Sequence, residues 1–319
     1  ISPPPRRGRP RKRPAASQAL DRLATEQANP LSDDLDLRST RQILSIINGE
    51  DAKVARAVRK TIPQIARAVD FAVDSLSRGG RLIYIGAGTS GRLGVLDAVE
   101  CTPTFNIAPG TILGLMAGGY RALHRATEVS EDNARQGWAD IRQARVESRD
   151  TVVGIAASGR TPYTVAALEL ARRLGAHTVA LACVPHSPLV EAAEVAICPV
   201  VGAEVLAGST RMKAGTAQKL VLNMLSTAAM VRLGYVFGNL MVNVRATNEK
   251  LAARAERILR QATGVSAQQA RRLLGRANHD LRVAIIMAMK NISSRAAREA
   301  LVRHGNSIRA TLADVFPRV

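Results

Sequence analysis

Two Gly/Ser/Thr turns, each placed where a short apolar run gives way to a helical pattern, constrain this 319-residue chain more than any other feature. The first follows Ile83-Tyr84-Ile85 and runs Gly86-Ala87-Gly88-Thr89-Ser90-Gly91-Arg92. The second follows Val152 to Ile155 and runs Ala157-Ser158-Gly159-Arg160-Thr161. Unbroken apolar runs of this kind read as buried parallel strands. A glycine-rich turn into a helix offers backbone N–H groups and the positive end of the helix dipole to an anion, and hydroxyls there add neutral donors. Each turn can hold a phosphate, and two in one sheet point to a phosphorylated ligand gripped along its length.

The surrounding pattern supplies that sheet. Strands are expected at 81–86, 111–117, 151–157, 177–184 and 195–201, with helices between them, including 162–174 and a short one after Pro188. Alternation with short turns implies a parallel sheet covered on both faces, because each crossover is right-handed and returns across the sheet. Five such strands make an α/β, flavodoxin-like doubly wound fold, whose ligands sit at the carboxyl ends of the strands. Apolar residues recurring every three to four positions from Leu44 to Leu76 predict two amphipathic helices ahead of the first strand. Long helices are expected over about 209–233 and 238–262, and a small module of three or four helices after that. The expected division is a basic tail and arm over 1–35, an α/β domain carrying both phosphate-type turns over 36–262 and a helical module over 263–319.

Composition narrows the function. With 46% hydrophobic residues the chain can fill a core, but 3% aromatic residues leave few stacking platforms for single-stranded nucleic acid. Cys101, Cys183 and Cys198 are odd in number and lack CxxC spacing, so neither a disulfide framework nor a zinc site is indicated. No stretch has the length of a membrane span and no signal peptide is evident, so a soluble cytoplasmic protein is expected. The net charge of +19 is uneven. Arg6, Arg7, Arg9, Arg11, Lys12 and Arg13 lie in a Pro-rich opening that is expected to be disordered. Its Gly8-Arg9-Pro10 looks like a minor-groove hook, but loose, salt-sensitive attraction to polyanions is the simpler reading, and nucleic acid is not the expected partner.

Gly86-Ala87-Gly88-Thr89-Ser90-Gly91 also satisfies GxGxxG. A dinucleotide site predicts an acidic residue at the end of the second strand, and here that strand runs into Ala117-Gly118-Gly119-Tyr120. The acid is absent, and a Rossmann fold leaves the second turn unexplained.

Three segments resemble the signatures of the N-acetylmuramic acid 6-phosphate etherases, which are built on the sugar isomerase domain. They are Gly86 to Gly94, Gly154 to Tyr163 and Gly208-Ser209-Thr210-Arg211-Met212-Lys213-Ala214-Gly215-Thr216-Ala217-Gln218-Lys219. TEQANPLSDDLD near the start and VFGNLMVNVRATNEKL after the long helix are similar as well. The resemblance implies cleavage of the D-lactyl ether of a muramic acid 6-phosphate by a homodimer, with no cofactor and no metal. With the sugar ring open, the proton on carbon 2 is acidified by the aldehyde. A base removes it, lactate leaves carbon 3 as an acid protonates the ether oxygen, and water adds back; two carboxyl groups suffice. The nearest non-enzyme alternative is the glucokinase regulatory protein, a family relative that binds sugar phosphates without catalysis.

By that resemblance Glu100 is the acid, near the end of a helix where the dipole disfavours negative charge. Glu131 is the base, in the acidic run Glu128-Val129-Ser130-Glu131-Asp132. Val129-Ser130 and Thr102 depart from the usual residues and bear on fine positioning. Gly88, Thr89, Ser90, Arg92, Ser158, Gly159, Arg160, Thr161, Glu204, Ser209, Thr210 and Lys213 are the expected substrate contacts, with Lys213 adding a cation for phosphate. His124 is assigned no role.

Overall fold

The chain carries out the expected alternation. The computed structural model describes residues 25–125, 130–243 and 249–314. The Arg-rich opening and Glu128 lie outside them. The strands are β1 (Leu82–Gly86), β2 (Ile112–Met116), β3 (Thr151–Ile155), β4 (His177–Leu181) and β5 (Val195–Ile197), all parallel, in the order β2-β1-β3-β4-β5. This is the doubly wound order the sequence predicts. Successive side chains leave a strand on opposite faces, so β1 sends Leu82 and Tyr84 into one apolar layer and Ile83 and Ile85 into the other.

Where the periodicity predicts two helices ahead of β1, the described residues form three α-helices: α1 (Thr40–Asp51), α2 (Val54–Arg59) and α3 (Ile62–Ser77). Ser39 and Gln42 form a capping box that starts α1. Within the sheet region come α4 (Gly88–Phe105), α5 (Arg121–His124), α6 (Ala134–Gln143), α7 (Pro162–Arg173), α8 (Pro188–Glu191) and α9 (Lys213–Arg232). Val58, Val69, Val221 and Leu225 from α2, α3 and α9 cover one face of the sheet; Ile141, Tyr163 and Leu168 from α6 and α7 cover the other.

The stretch expected to be helical from about 238 is first a hairpin, β6 (Val236–Phe237) with β7 (Leu240–Met241). Gly238, at φ +61°, and Asn239 form its two-residue turn, a hairpin signal that outweighs the apolar periodicity. The helix α10 covers Glu249–Thr263, followed by α11 (Ala267–Arg276), α12 (Leu281–Lys290), α13 (Ser294–Arg303) and α14 (Ile308–Ala313). Val242, Ala255, Ile258 and Leu259 share one apolar cluster with these last helices. The C-terminal packing unit therefore reaches further toward the N-terminus than a boundary at 263. Among the described residues no helix is long and apolar enough to cross a membrane.

Candidate active site

Parallel register brings the two turns together. Gly86 at the end of β1 pairs with Ile155 at the end of β3, so both turns leave adjacent strands at the same level. At the N-terminus of α4 no side chain caps the helix, so its first-turn N–H groups are offered to the space between the turns, whereas at α7 Pro162 has no N–H and Tyr163 and Thr164 give theirs to the Glu131 and Thr161 carbonyls. That space is a cavity of about 310 Å³. Gly88, Thr89, Ser90 and Arg92 line it from the first turn, Ser158 and Thr161 from the second, and Thr210 from the loop before α9. Glu131 lines it too. The Tyr163 N–H donates to the Glu131 carbonyl at 3.1 Å and ties this carboxylate to the start of α7.

Several contacts fix the lining. Ser90 is buried, and its hydroxyl donates to Oε1 of Gln218 on α9 at 3.0 Å. The Arg92 guanidinium donates to the Ala122 carbonyl at 2.7 and 3.1 Å, so it braces the 121–125 segment while facing the cavity. Gly88 stands at φ +53°, and a Cβ there would lie 2.8 Å from Oε1 of Glu131. Only glycine lets the carboxylate approach the turn this closely.

The remaining expected contacts fall elsewhere. Gly159 (φ +66°) shapes the turn, where a Cβ would meet the Ser187 hydroxyl at 2.0 Å. Arg160 is exposed, and neither it nor Ser209 lines the cavity. Ser209 does not begin the long helix either. The buried Glu204 carboxylate accepts from the N–H groups of Lys213 and Ala214, both at 2.9 Å, and so caps α9; it does not line the cavity. Lys213 is buried, its Nζ 2.6 Å from Oε2 of Glu50, and it does not reach the cavity. Burial alone would raise the Glu50 carboxyl, but hydrogen bonds from Lys213, Lys53 and Asn29 and the Lys213 charge bring it down to about 2. Glu100 is exposed, three helical turns or about 18 Å beyond Gly88 along α4, outside this cavity.

Glu26 is a lining residue that residue-by-residue reading of the sequence does not single out. Its only sequence signal is its place in TEQANPLSDDLD. The arm that carries it crosses the loop before α9, where the Asn29 amide donates to the Ala203 carbonyl at 3.2 Å and the Ser32 hydroxyl to the Val205 carbonyl at 2.7 Å.

Residues 64–172 match the family model of the glucokinase regulatory protein N-terminal SIS domain, and 139–228 match the SIS domain model. With the β2-β1-β3-β4-β5 sheet and a donor-rich cavity at its carboxyl edge, the molecule is of the sugar isomerase class. The N-acetylmuramic acid 6-phosphate etherases of Yersinia pestis (strain Pestoides F) and Yersinia pseudotuberculosis (serotype O:1b, strain IP 31758) are each 53% identical over 294 residues, covering 92% of this chain and 100% of theirs. The chain belongs to the N-acetylmuramic acid 6-phosphate etherase family. Among solved structures, a phosphoheptose isomerase from Neisseria gonorrhoeae is 16% identical with a TM-score of 0.44, over 60% of this chain and 100% of that one.

Proposed function

We propose that this protein cleaves the D-lactyl ether of N-acetylmuramic acid 6-phosphate with water in the cytoplasm, giving N-acetylglucosamine 6-phosphate and D-lactate for cell-wall amino sugar recycling. The observation that carries this reading is Glu131 seated against Gly88 in a cavity walled by two phosphate-type turns. In it the phosphate takes the N–H groups at the start of α4 and the hydroxyls of Thr89, Ser158, Thr161 and Thr210, while the Ser90 hydroxyl, turned to Gln218, holds the wall. Glu131 removes the carbon-2 proton of the open-chain aldehyde. The carbon 3–oxygen bond then breaks, the departing oxygen takes a proton, and water adds across the unsaturated aldehyde.

Glu100 fits the role of proton donor in the cavity of a second copy. It stands beside Leu96 (53% exposed) and Val99 (60% exposed) on one face of α4, an apolar patch suited to a homodimer contact. Lactate release from N-acetylmuramic acid 6-phosphate by the purified protein tests the activity. Glu131→Gln is expected to lower turnover at least 100-fold; unchanged turnover overturns the base assignment. The match of residues 64–172 to the glucokinase regulatory protein favours a second reading, a phosphosugar sensor that binds without releasing lactate.

A further inference from the structure

The cavity wall is rich in donors, yet a phosphosugar offers donors of its own in its hydroxyls and acetamido N–H. Among the described lining residues, only Glu26 and Glu131 carry carboxylates. They enter from different sides. Glu131 lies against Gly88, whereas Glu26 lies over the loop before α9, its Oε2 3.3 Å from where a Cβ on Gly208 would sit. Among the described residues no lysine or arginine pairs with Glu26, and the neighbouring Thr25 hydroxyl donates to it at 3.5 Å. The arm beneath it is fixed independently: Asn29 is buried and its amide also donates to Glu50 at 3.0 Å, and Thr25 is buried.

We propose that Glu26 is a specificity residue, whose carboxylate accepts hydrogen bonds from the neutral donors of the bound phosphosugar at the end away from its phosphate. Because the arm is held by Asn29 and Ser32, the Glu26 side chain is free to serve the ligand without being needed for the fold.

This rests on the phosphosugar reading of the cavity but not on turnover, so binding can test it alone. Calorimetric titration with N-acetylglucosamine 6-phosphate and, separately, inorganic phosphate is done on the full chain, wild type, Glu26→Ala and Glu26→Gln. Loss of a hydrogen bond to a charged acceptor is expected to weaken the phosphosugar about 10- to 100-fold in Glu26→Ala, with Glu26→Gln between it and wild type. Phosphate affinity stays within twofold. Unchanged phosphosugar affinity in Glu26→Ala overturns the proposal, as does equal weakening of both ligands, which would make the arm a general wall of the cavity. A wild-type protein that binds the phosphosugar but releases no lactate would sink the etherase reading and leave the Glu26 test intact.

Discussion

Lys213 Nζ lies 2.6 Å from Glu50 Oε2, and both side chains are buried between α1 and the start of α9. Two charges taken out of water are tolerable only as a satisfied pair, and Asn29 and Lys53 complete the acceptor shell of Glu50. Lys213→Ala leaves Glu50 buried without its main partner and is expected to cost about 3–5 kcal/mol in urea unfolding at pH 7.

The same pair sets a limit at low pH. The Glu50 carboxyl falls from 4.5 to about 2 in the folded chain. Its folded value is depressed, so its contribution is complete above about pH 4.5 and is lost as pH drops toward 2, on the order of 3 kcal/mol in all. Urea midpoints across pH 2–7 are expected to fall more steeply in the wild type than in Glu50→Gln over that window. Parallel profiles would exclude Glu50 as a source of acid lability.

Gly88→Ala is expected to separate activity from stability. A methyl group would collide with Oε1 of Glu131 at 2.8 Å and would have to adopt φ +53°. The left-handed backbone costs about 1–2 kcal/mol, a loss the chain can absorb. Displacing Glu131 from the turn is expected to lower kcat/KM for lactate release at least 100-fold. Circular dichroism melting should fall by only a few degrees.

What was legible in the sequence follows from how local the signals are. The strands β1 and β3 and their turns are short, contiguous patterns, and parallel register then brings Gly86 and Ile155 level without further information. Lys213 misleads because its sequence neighbours Ser209 and Thr210 look like a ligand-binding turn; its fate depends on Glu50, 163 residues away. Glu204 likewise reads as a substrate contact, because its capping of α9 shows only once the helix is known to start at Lys213. Glu26 is hidden for the opposite reason. Its arm has no periodicity, and its place is set by bonds from Asn29 and Ser32 to a loop more than 170 residues along. The hairpin at Gly238 was readable from its Gly-Asn turn, but the apolar residues around it imitate a helix.

Asp97 offers a stability test away from the cavity. Its buried carboxylate accepts from the Tyr84 hydroxyl at 3.0 Å, Asn223 Nδ2 at 2.7 Å and the Ser226 hydroxyl at 3.2 Å, joining β1, α4 and α9. Burial, and then the Asp97 charge, push the Tyr84 hydroxyl well above its ordinary pKa. Asp97→Ala leaves the Tyr84 and Asn223 donors without their acceptor, while Ser226 keeps the Leu222 carbonyl, and is expected to destabilise the fold by about 3 kcal/mol. Asp97→Asn, which keeps one acceptor oxygen, should recover part of that loss in the same unfolding measurement.

Glu100 and Glu131 can be tested as partners across two copies. If each cavity uses its own Glu131 and the Glu100 of the other copy, Glu100→Gln and Glu131→Gln are each inactive alone but complement one another. In a mixed dimer, the cavity of the Glu100→Gln chain keeps its own Glu131 and receives an intact Glu100, while the other cavity has neither. Random reassortment of an equal mixture makes half the dimers mixed, each with one working cavity of two, so about a quarter of wild-type lactate release should return. The exposed Leu96 and Val99 beside Glu100 supply a control, because Val99→Asp should prevent both association and recovery. Recovery requires exchange of subunits, so the mixture is unfolded and refolded together and compared with the two variants refolded apart. No recovery in a refolded mixture that is dimeric by light scattering would show that Glu100 does not serve the cavity of the other copy.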